Sequence, residues 1–319
     1  MLSFSYVPTG PRAESHLKPS IIVHGGAGSG RYVKDDKRYG GLEEAVEAGL
    51  SAMKKGSGLD GVVAAVRSME DSGLFNCGRG AYLTAEGKVE LDAAVMSGEG
   101  LAGAGVGNVT STHTPVTLAR WVMENTRHVL VVGNRTRDYV RLAGLEVEEL
   151  TPSKRVAARF EALRREAKYS EPLRTVRRFE AGDTVGAVAL GSDGVPAAAV
   201  STGGTWMKLP GRVGDSAILG AGLFADSGLG ASCATGTGEE IIRVGLCMKA
   251  CEFMGADDAQ RAAVRAIEQI TKVRGKGTAG IVTVDLKGGG GGAFNTEAMG
   301  RAWFDPQKGR VVAAVGPDP

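Results

Sequence analysis

The residues best placed to do chemistry lie in the second half of a chain of 319 residues. The run Ala181-Gly182-Asp183-Thr184-Val185-Gly186-Ala187-Val188-Ala189-Leu190 puts a hydroxyl at the first position of an apolar segment, directly after a charged and irregular tract. A hydroxyl left unpaired in apolar surroundings costs about 1–3 kcal/mol, so Thr184 is either hydrogen-bonded or used. Threonine is a weak nucleophile unless a base is close. The nearest base it can have is its own α-amine, whose ordinary pKa of about 7.7–8.0 leaves a neutral fraction at pH 7. That amine exists only once the Asp183–Thr184 bond is broken, so the pattern predicts a scissile bond with an irregular linker before it and a rigid strand after it. The plain alternative is an ordinary Asp-Thr turn or cap.

Three further stretches carry groups that such a nucleophile needs. Ser201-Thr202-Gly203-Gly204 ends the second arm of a hairpin that turns at Ser192-Asp193-Gly194, which brings Thr202 near Thr184; its hydroxyl can bond the nucleophile or simply end a strand. Gly211-Arg212-Val213-Gly214-Asp215-Ser216 offers a guanidinium for a carboxylate and a carboxylate for an ammonium, a set suited to an amino-acid zwitterion. The alternative is that Arg212 and Asp215 pair with each other. Thr235-Gly236-Thr237-Gly238-Glu239 precedes a helical pattern, and its hydroxyl and amides can form an oxyanion site or act as a helix cap. Competing chemistries have less to stand on. There is no GxSxG elbow and no HExxH, and His16, His24, His113 and His128 lack metal-ligand spacing. Gly25-Gly26-Ala27-Gly28-Ser29-Gly30 resembles a phosphate loop, but Arg31 and Tyr32 stand where a nucleotide-binding loop needs Lys and Ser or Thr.

The elements that must position these groups are legible as periodic segments. Ser20–His24 reads as a buried strand, and 42–54 and 59–69 read as amphipathic helices. Strands are expected over 89–96, 102–109 and 128–132, with helices over 115–124 and 152–168. The tract 169–183 has no regular period and reads as the linker. Strands follow at 184–190, 195–202, 218–224 and 231–235, then helices over 239–254 and 257–270, then strands at 279–285, 292–295 and 310–315, with 288–292 as a floppy hairpin tip. Strands, then helices, then strands suggest sheets packed face to face with helices outside. The 49 glycines are about twice the usual share and suit a site built from main-chain groups.

Composition bounds the rest. A formal charge of +2 gives no basis for a nucleic-acid partner, and no apolar run is long enough to span a bilayer. The four cysteines, Cys77, Cys233, Cys247 and Cys251, form no CxxC pair and read as reduced buried thiols. Residues 1–18 lack the continuous apolar core of a signal peptide, so a cytoplasmic protein is expected.

Taken together, the blocks resemble one family. His24-Gly25-Gly26-Ala27-Gly28, Leu74-Phe75-Asn76-Cys77-Gly78, Glu90-Leu91-Asp92-Ala93, Asp183 to Ala189, Ser201 to Gly204, Gly211 to Ser216, Thr235 to Glu239 and Phe294-Asn295-Thr296-Glu297 look like the plant-type L-asparaginases, or isoaspartyl peptidases, of the N-terminal-nucleophile hydrolases. The likeness runs in order from about Ser20 to the end of the chain. It implies a single α/β domain, a four-layer αββα sandwich, made as a precursor that cuts itself into an α subunit (1–183) and a β subunit (184–319) and assembles as (αβ)₂. Carried over by position, Thr184 is the nucleophile, its amine the base and Thr202 the supporting hydroxyl. Arg212 and Asp215, with Gly238, hold the substrate's α-carboxylate and α-ammonium; Thr235 and Gly236 stabilise the oxyanion; Asn76 lies over the scissile region. The substrates implied are L-asparagine and β-aspartyl dipeptides, with no organic cofactor, and a structural sodium on backbone carbonyls of Met69, Glu70, Ser72, Phe75, Cys77 and Arg79. Asp183, where many plant-type members have Gly, resembles the glycosylasparaginase and threonine-aspartase branches instead. Thr205-Trp206-Met207-Lys208 is bulkier than usual and is expected to narrow the pocket.

Overall fold

The computed structural model describes residues 19–28, 36–166 and 183–316. The expected tail (1–18) and all of the expected linker except Asp183 lie outside the described residues.

Apolar runs bounded by glycines and polar turns form the strands, and apolar stripes opposed by charge form the helices. In chain order the elements are β1 (Ser20–Gly28), α1 (Asp36–Met53), α2 (Gly58–Ser72), β2 (Leu91–Ser97), β3 (Gly103–Val109), α3 (Pro115–Asn125), β4 (Leu130–Val132), α4 (Thr136–Leu142) and α5 (Lys154–Arg165). Then come β5 (Val185–Leu190), β6 (Pro196–Thr202), β7 (Leu223–Asp226), β8 (Gly230–Gly236), α6 (Gly238–Val244), α7 (Leu246–Met254), α8 (Ala259–Arg274), β9 (Ala279–Asp285), β10 (Gly290–Phe294), β11 (Ala298–Asp305) and β12 (Arg310–Ala314). Helix starts follow local chemistry. Ser57 and Asp60 form a capping box on α2, and the Asp258 carboxylate accepts the Arg261 amide at the start of α8.

An eight-stranded sheet runs β12-β11-β1-β5-β6-β2-β3-β4, and a four-stranded sheet runs β10-β9-β8-β7. Alternation along the strands divides the apolar residues into three layers. Odd positions of β5 (Val185, Ala187, Ala189) pack with α1, α2, α3 and α5 in the largest cluster. Even positions (Val188, Leu190), with Ile22, Ala94 and Val200, meet Leu223, Ala231, Cys233 and Val282 between the sheets. The far face of the small sheet packs Ala234 and Ile281 against Ile241, Leu246, Ala266 and Ile270 of α6, α7 and α8. The order is therefore helix, sheet, sheet, helix, the expected αββα sandwich.

Several expectations need correction. Gly25 to Gly28 are strand residues, with Ala27 and Gly28 paired to Met299 and Ala298 of β11, so they form no phosphate-cradling loop. The helix expected over 239–254 is two, because Gly245 sits in the left-handed region at φ 61° and turns the chain. Gly290 to Gly292 are paired with Val284 to Val282 rather than forming a loose tip. β11 was not anticipated: Ala298–Asp305 mixes Arg301 and Asp305 into its run, yet it lies between β1 and β12. α4 and the early start of α1 were also unanticipated, since polar residues open both. All four cysteines are buried and unpaired. Among the described residues no helix is long and apolar enough to cross a membrane, and no cluster of His, Cys, Asp or Glu could hold a metal ion.

Candidate active site

Thr184 stands one residue before β5, and the register fixes its neighbours. Val185 pairs with Ser201, so Thr184 falls opposite Thr202; Thr202 in turn pairs with Asp92 on β2. These three even-numbered residues share the inter-sheet face of the large sheet. The Thr184 hydroxyl donates to Thr202 Oγ1 at 3.2 Å, and the same oxygen accepts the Gly204 amide at 2.9 Å. Thr184 is 4% exposed, so its hydroxyl depends on this partner.

The small sheet brings the second part of the site to the same end. A side chain at Gly186 would lie 2.8 Å from Cys233 Sγ, which places β8 over β5. Thr235 is paired with Gly280, whose Cβ position is 3.0 Å from Ala27 Cβ, and β1 runs past Thr184 at Gly26 and Ala27. Thr235 shares the inward parity of Ala231 and Cys233, so it faces the large sheet at the Thr184 end. Gly236 has φ 142°, and a side chain there would collide with the Thr278 carbonyl, so only glycine presents this amide. Thr237 is the residue before α6, but its side chain makes no capping bond.

The charged groups line the next turn of backbone. Arg212 does not pair with Asp215. Its Nε and Nη2 donate to the two oxygens of Glu239 at 2.9 and 3.0 Å, a bidentate fork. A Cβ at Gly238 would lie 2.6 Å from Asp215 Oδ1 and 2.9 Å from Arg212 Nη2, so only a bare backbone lets these two side chains close on one spot. A Cβ at Gly204 would lie 3.2 Å from Arg212 Nη1, which links the cluster to the turn that caps Thr202. Burial pushes the Asp215 carboxyl up to about 7 against the opposing pull of Arg212, and its Oδ2 has no hydrogen-bond partner. Asp92 holds the loop, accepting the Gly214 and Asn108 amides at 3.1 and 2.9 Å.

Asn76 is fully buried and committed at both ends of its amide, donating to Gly204 O at 2.6 Å and accepting from the Tyr82 amide at 2.7 Å. It thus ties the Gly203-Gly204 turn to the 74–82 segment. His24 lies beside Thr184 and Gly186, but burial drives its imidazole down to about 3, against a smaller opposing pull from the Thr184 backbone. It is a poor base near neutral pH.

Sequence reasoning missed several residues here. Glu239 was quoted in a motif without a role, although it orients Arg212. Lys208 is fully buried, its ammonium donating to Glu90 O at 2.9 Å, with Nζ 3.1 Å from the Cβ position of Gly204. Asp183, directly before the junction, accepts from Arg38 Nη1 at 3.1 Å and from the Tyr82 hydroxyl at 2.8 Å, and Tyr82 stacks on Trp206 with centroids 4.1 Å apart. Arg38 and Tyr82 carried no sequence signal, being 145 and 101 residues from Asp183.

Residues 17–313 match the family described as asparaginase. A plant-type L-asparaginase of Pyrobaculum calidifontis is 42% identical over 305 residues, which is 92% of this chain and 99% of that protein. An isoaspartyl peptidase of Escherichia coli is 38% identical over 90% of this chain and 92% of its own length. A protein of Homo sapiens named isoaspartyl peptidase/L-asparaginase is 33% identical over 95% and 97%. A match of this extent, on a sandwich that gathers these groups at one end, makes the chain a member of the asparaginase family of amidohydrolases.

Proposed function

We propose that the chain cuts itself between Asp183 and Thr184 and that the freed Thr184 hydrolyses L-asparagine and β-aspartyl dipeptides to L-aspartate. The observation that carries this reading is the Thr184–Thr202 pair at the sandwich end that also holds Thr235, Gly236, Arg212 and Asp215. In turnover, Thr184 Oγ1 attacks the β-carbonyl while its proton passes to the α-amine. With that proton turned to the amine, the Thr202 hydroxyl, 3.2 Å from Thr184 Oγ1, can donate to the oxygen and keep it aimed. The oxyanion is met by the Thr235 hydroxyl and the Gly236 amide. Collapse breaks the C–N bond, and the leaving amine takes the proton back from the Thr184 ammonium. Water then adds to the threonyl ester, giving up a proton to the amine, and L-aspartate is released with Thr184 restored. The substrate's α-carboxylate sits on Arg212, held flat by Glu239, and its α-ammonium supplies the partner that Asp215 Oδ2 lacks.

The family's implied sodium fits the same reading. In the turn after α2, side chains at Gly78 and Gly80 would collide with the Glu70 and Phe75 carbonyls, so the backbone folds tightly around those oxygens. Met69 O accepts from the Ser72 hydroxyl and Cys77 O from the Gly80 amide, and each keeps a second lone pair. With the carbonyls of Ser72 and Arg79 these are the all-oxygen donors a hard cation takes, and an ion there would brace the turn that carries Asn76. Assembly as (αβ)₂ is supported by Leu130 and Val132 of β4, which are 51% and 48% exposed on the edge of the large sheet. Sedimentation and melting in sodium chloride against choline chloride read both points: a two-copy assembly and a higher midpoint in sodium are expected, while a monomer or equal midpoints count against them.

Intact-mass measurement tests the central reading. Two fragments meeting at Asp183/Thr184 are expected from the native chain, and a single uncut chain with no turnover from Thr184→Ala. A native chain that stays whole yet hydrolyses asparagine, or a Thr184→Ala variant that does so, would overturn it.

A further inference from the structure

The Asp183 carboxylate is held away from the substrate groups described above. As an odd-numbered residue next to Val185, Asp183 turns toward the helical layer of the large sheet, whereas Thr184 turns toward the small sheet. Its Oδ2 is bound by Arg38 Nη1 at 3.1 Å and the Tyr82 hydroxyl at 2.8 Å. Arg38 is itself braced by donating Nε to Leu74 O at 3.1 Å and by lying over the Phe75 ring. Burial and the neighbouring Asp183 push the Tyr82 phenol well up, so it remains a donor. A guanidinium and a hydroxyl converging on one buried carboxylate form a built anion site, and the residue in it is the one that the proposed cut detaches from Thr184.

We infer that Arg38 and Tyr82 form the subsite for the α-carboxylate of the leaving amino acid of a β-aspartyl dipeptide, with the side chain of Asp183 filling it before the cut. The inference rests on the proposed function. Its chemical basis is the position of the base. The Thr184 nitrogen must hand a proton to the departing amine, so that amine lies where Asp183 now joins Thr184. The path from the Thr184 nitrogen through Asp183 C, Cα and Cβ to the clamped carboxyl carbon spans roughly 4–5 Å. A leaving amine hydrogen-bonded to the same nitrogen at about 2.9 Å carries its own α-carboxylate two covalent bonds further on, at a similar reach. Cleavage removes the tether that holds the Asp183 carboxylate between Arg38 and Tyr82, so a substrate carboxylate can take its place. Ammonia released from asparagine has no such group. The subsite therefore favours β-aspartyl dipeptides with a free carboxyl terminus and contributes nothing to asparagine.

The test compares β-aspartyl-leucine, β-aspartyl-leucine amide and L-asparagine on the cut enzyme, with rates normalised to free amino-terminal threonine. The free acid is expected to exceed the amide in kcat/KM by about tenfold or more, as a charge-assisted contact implies, with the difference mainly in KM. In Arg38→Gln that acid-to-amide ratio is expected to fall toward one. A ratio near one in the native enzyme, a ratio that Arg38→Gln does not change, or turnover of asparagine with neither dipeptide would overturn the subsite. The native comparison decides alone if the variant does not cut. Turnover of none of the three substrates would instead overturn the proposed function.

Discussion

Arg212 and Arg38 are both guanidiniums bound to carboxylates beside the same threonine, but they are held in different ways. Arg212 is gripped by Glu239, a residue of the same fragment, through two parallel bonds that fix its plane. Arg38 is bound to Asp183 by a single nitrogen, and that partner sits at the bond proposed to break. The first arrangement pre-orients a cation. The second covers a cation until the chain is processed. The difference teaches that one residue type can serve as a permanent clamp or as a site closed by the precursor, according to whether its carboxylate partner is lasting.

The largest expected effect lies on the permanent side. Arg212→Ala removes the guanidinium and leaves Glu239 unpaired, and breaking one partner of such a pair costs about 3–5 kcal/mol when it is buried. That cost bears on stability, and it is at the lower end because 29% of the Glu239 side chain is accessible; the substrate's α-carboxylate loses its charged partner as well, so kcat/KM should fall about 10²-fold for asparagine and dipeptide alike. Steady-state kinetics on both substrates check this. A loss confined to the dipeptide would exchange the roles assigned to the two arginines.

Next in size is the pH dependence that Asp215 imposes. Burial raises its carboxyl from 3.8 to about 7, so in the free enzyme it is protonated below pH 7 and cannot pair with a substrate ammonium. kcat/KM is then expected to fall as pH drops through about 7, on top of the limb set by the Thr184 amine, which must also be neutral; Asp215→Asn should reduce that fall from two protons to one while lowering the plateau. The sign for stability is the reverse of that for activity. A raised carboxyl contributes stability that is full below 3.8 and lost as pH rises through about 7, so Asp215→Asn should raise the melting midpoint at pH 8 relative to its effect at pH 4. An acid limb of unchanged steepness in the variant would assign it to the Thr184 amine alone.

What could be read in advance follows the range of the interactions. Thr184 and Thr202 were legible because a short hairpin turning at Asp193-Gly194 dictates which residues face each other, and Val185 does pair with Ser201. The sandwich was legible because alternation along β5 and β6 separates two apolar faces. The partner of Arg212 was not: Asp215 is three residues away and Glu239 twenty-seven, and only the fold shows that the start of α6 comes back over the loop. Arg38, Tyr82 and Trp206 lie in three separate segments and meet at Asp183 through tertiary packing that no spacing rule encodes. β11 was missed for a local reason, since Arg301 is 4% exposed and donates to the Met299 and Gly316 carbonyls, a buried arginine that polarity alone assigns to the surface.

The smallest expected effect probes the covered side directly. Tyr82→Phe removes the hydroxyl that donates to Asp183 Oδ2 and keeps the ring on Trp206, so it isolates one hydrogen bond to a buried carboxylate. In the uncut Thr184→Ala background Asp183 is tethered in its site, and the substitution should cost about 1–2 kcal/mol, read as a lowered unfolding midpoint. In the cut enzyme Asp183 can exchange with a substrate carboxylate, so the same change should cost less stability and appear mainly as a raised KM for β-aspartyl-leucine. Equal costs in the two forms would mean that Asp183 keeps its place after cleavage. Both arginines would then be permanently partnered, and the contrast between the two sides of Thr184 would be one of geometry alone.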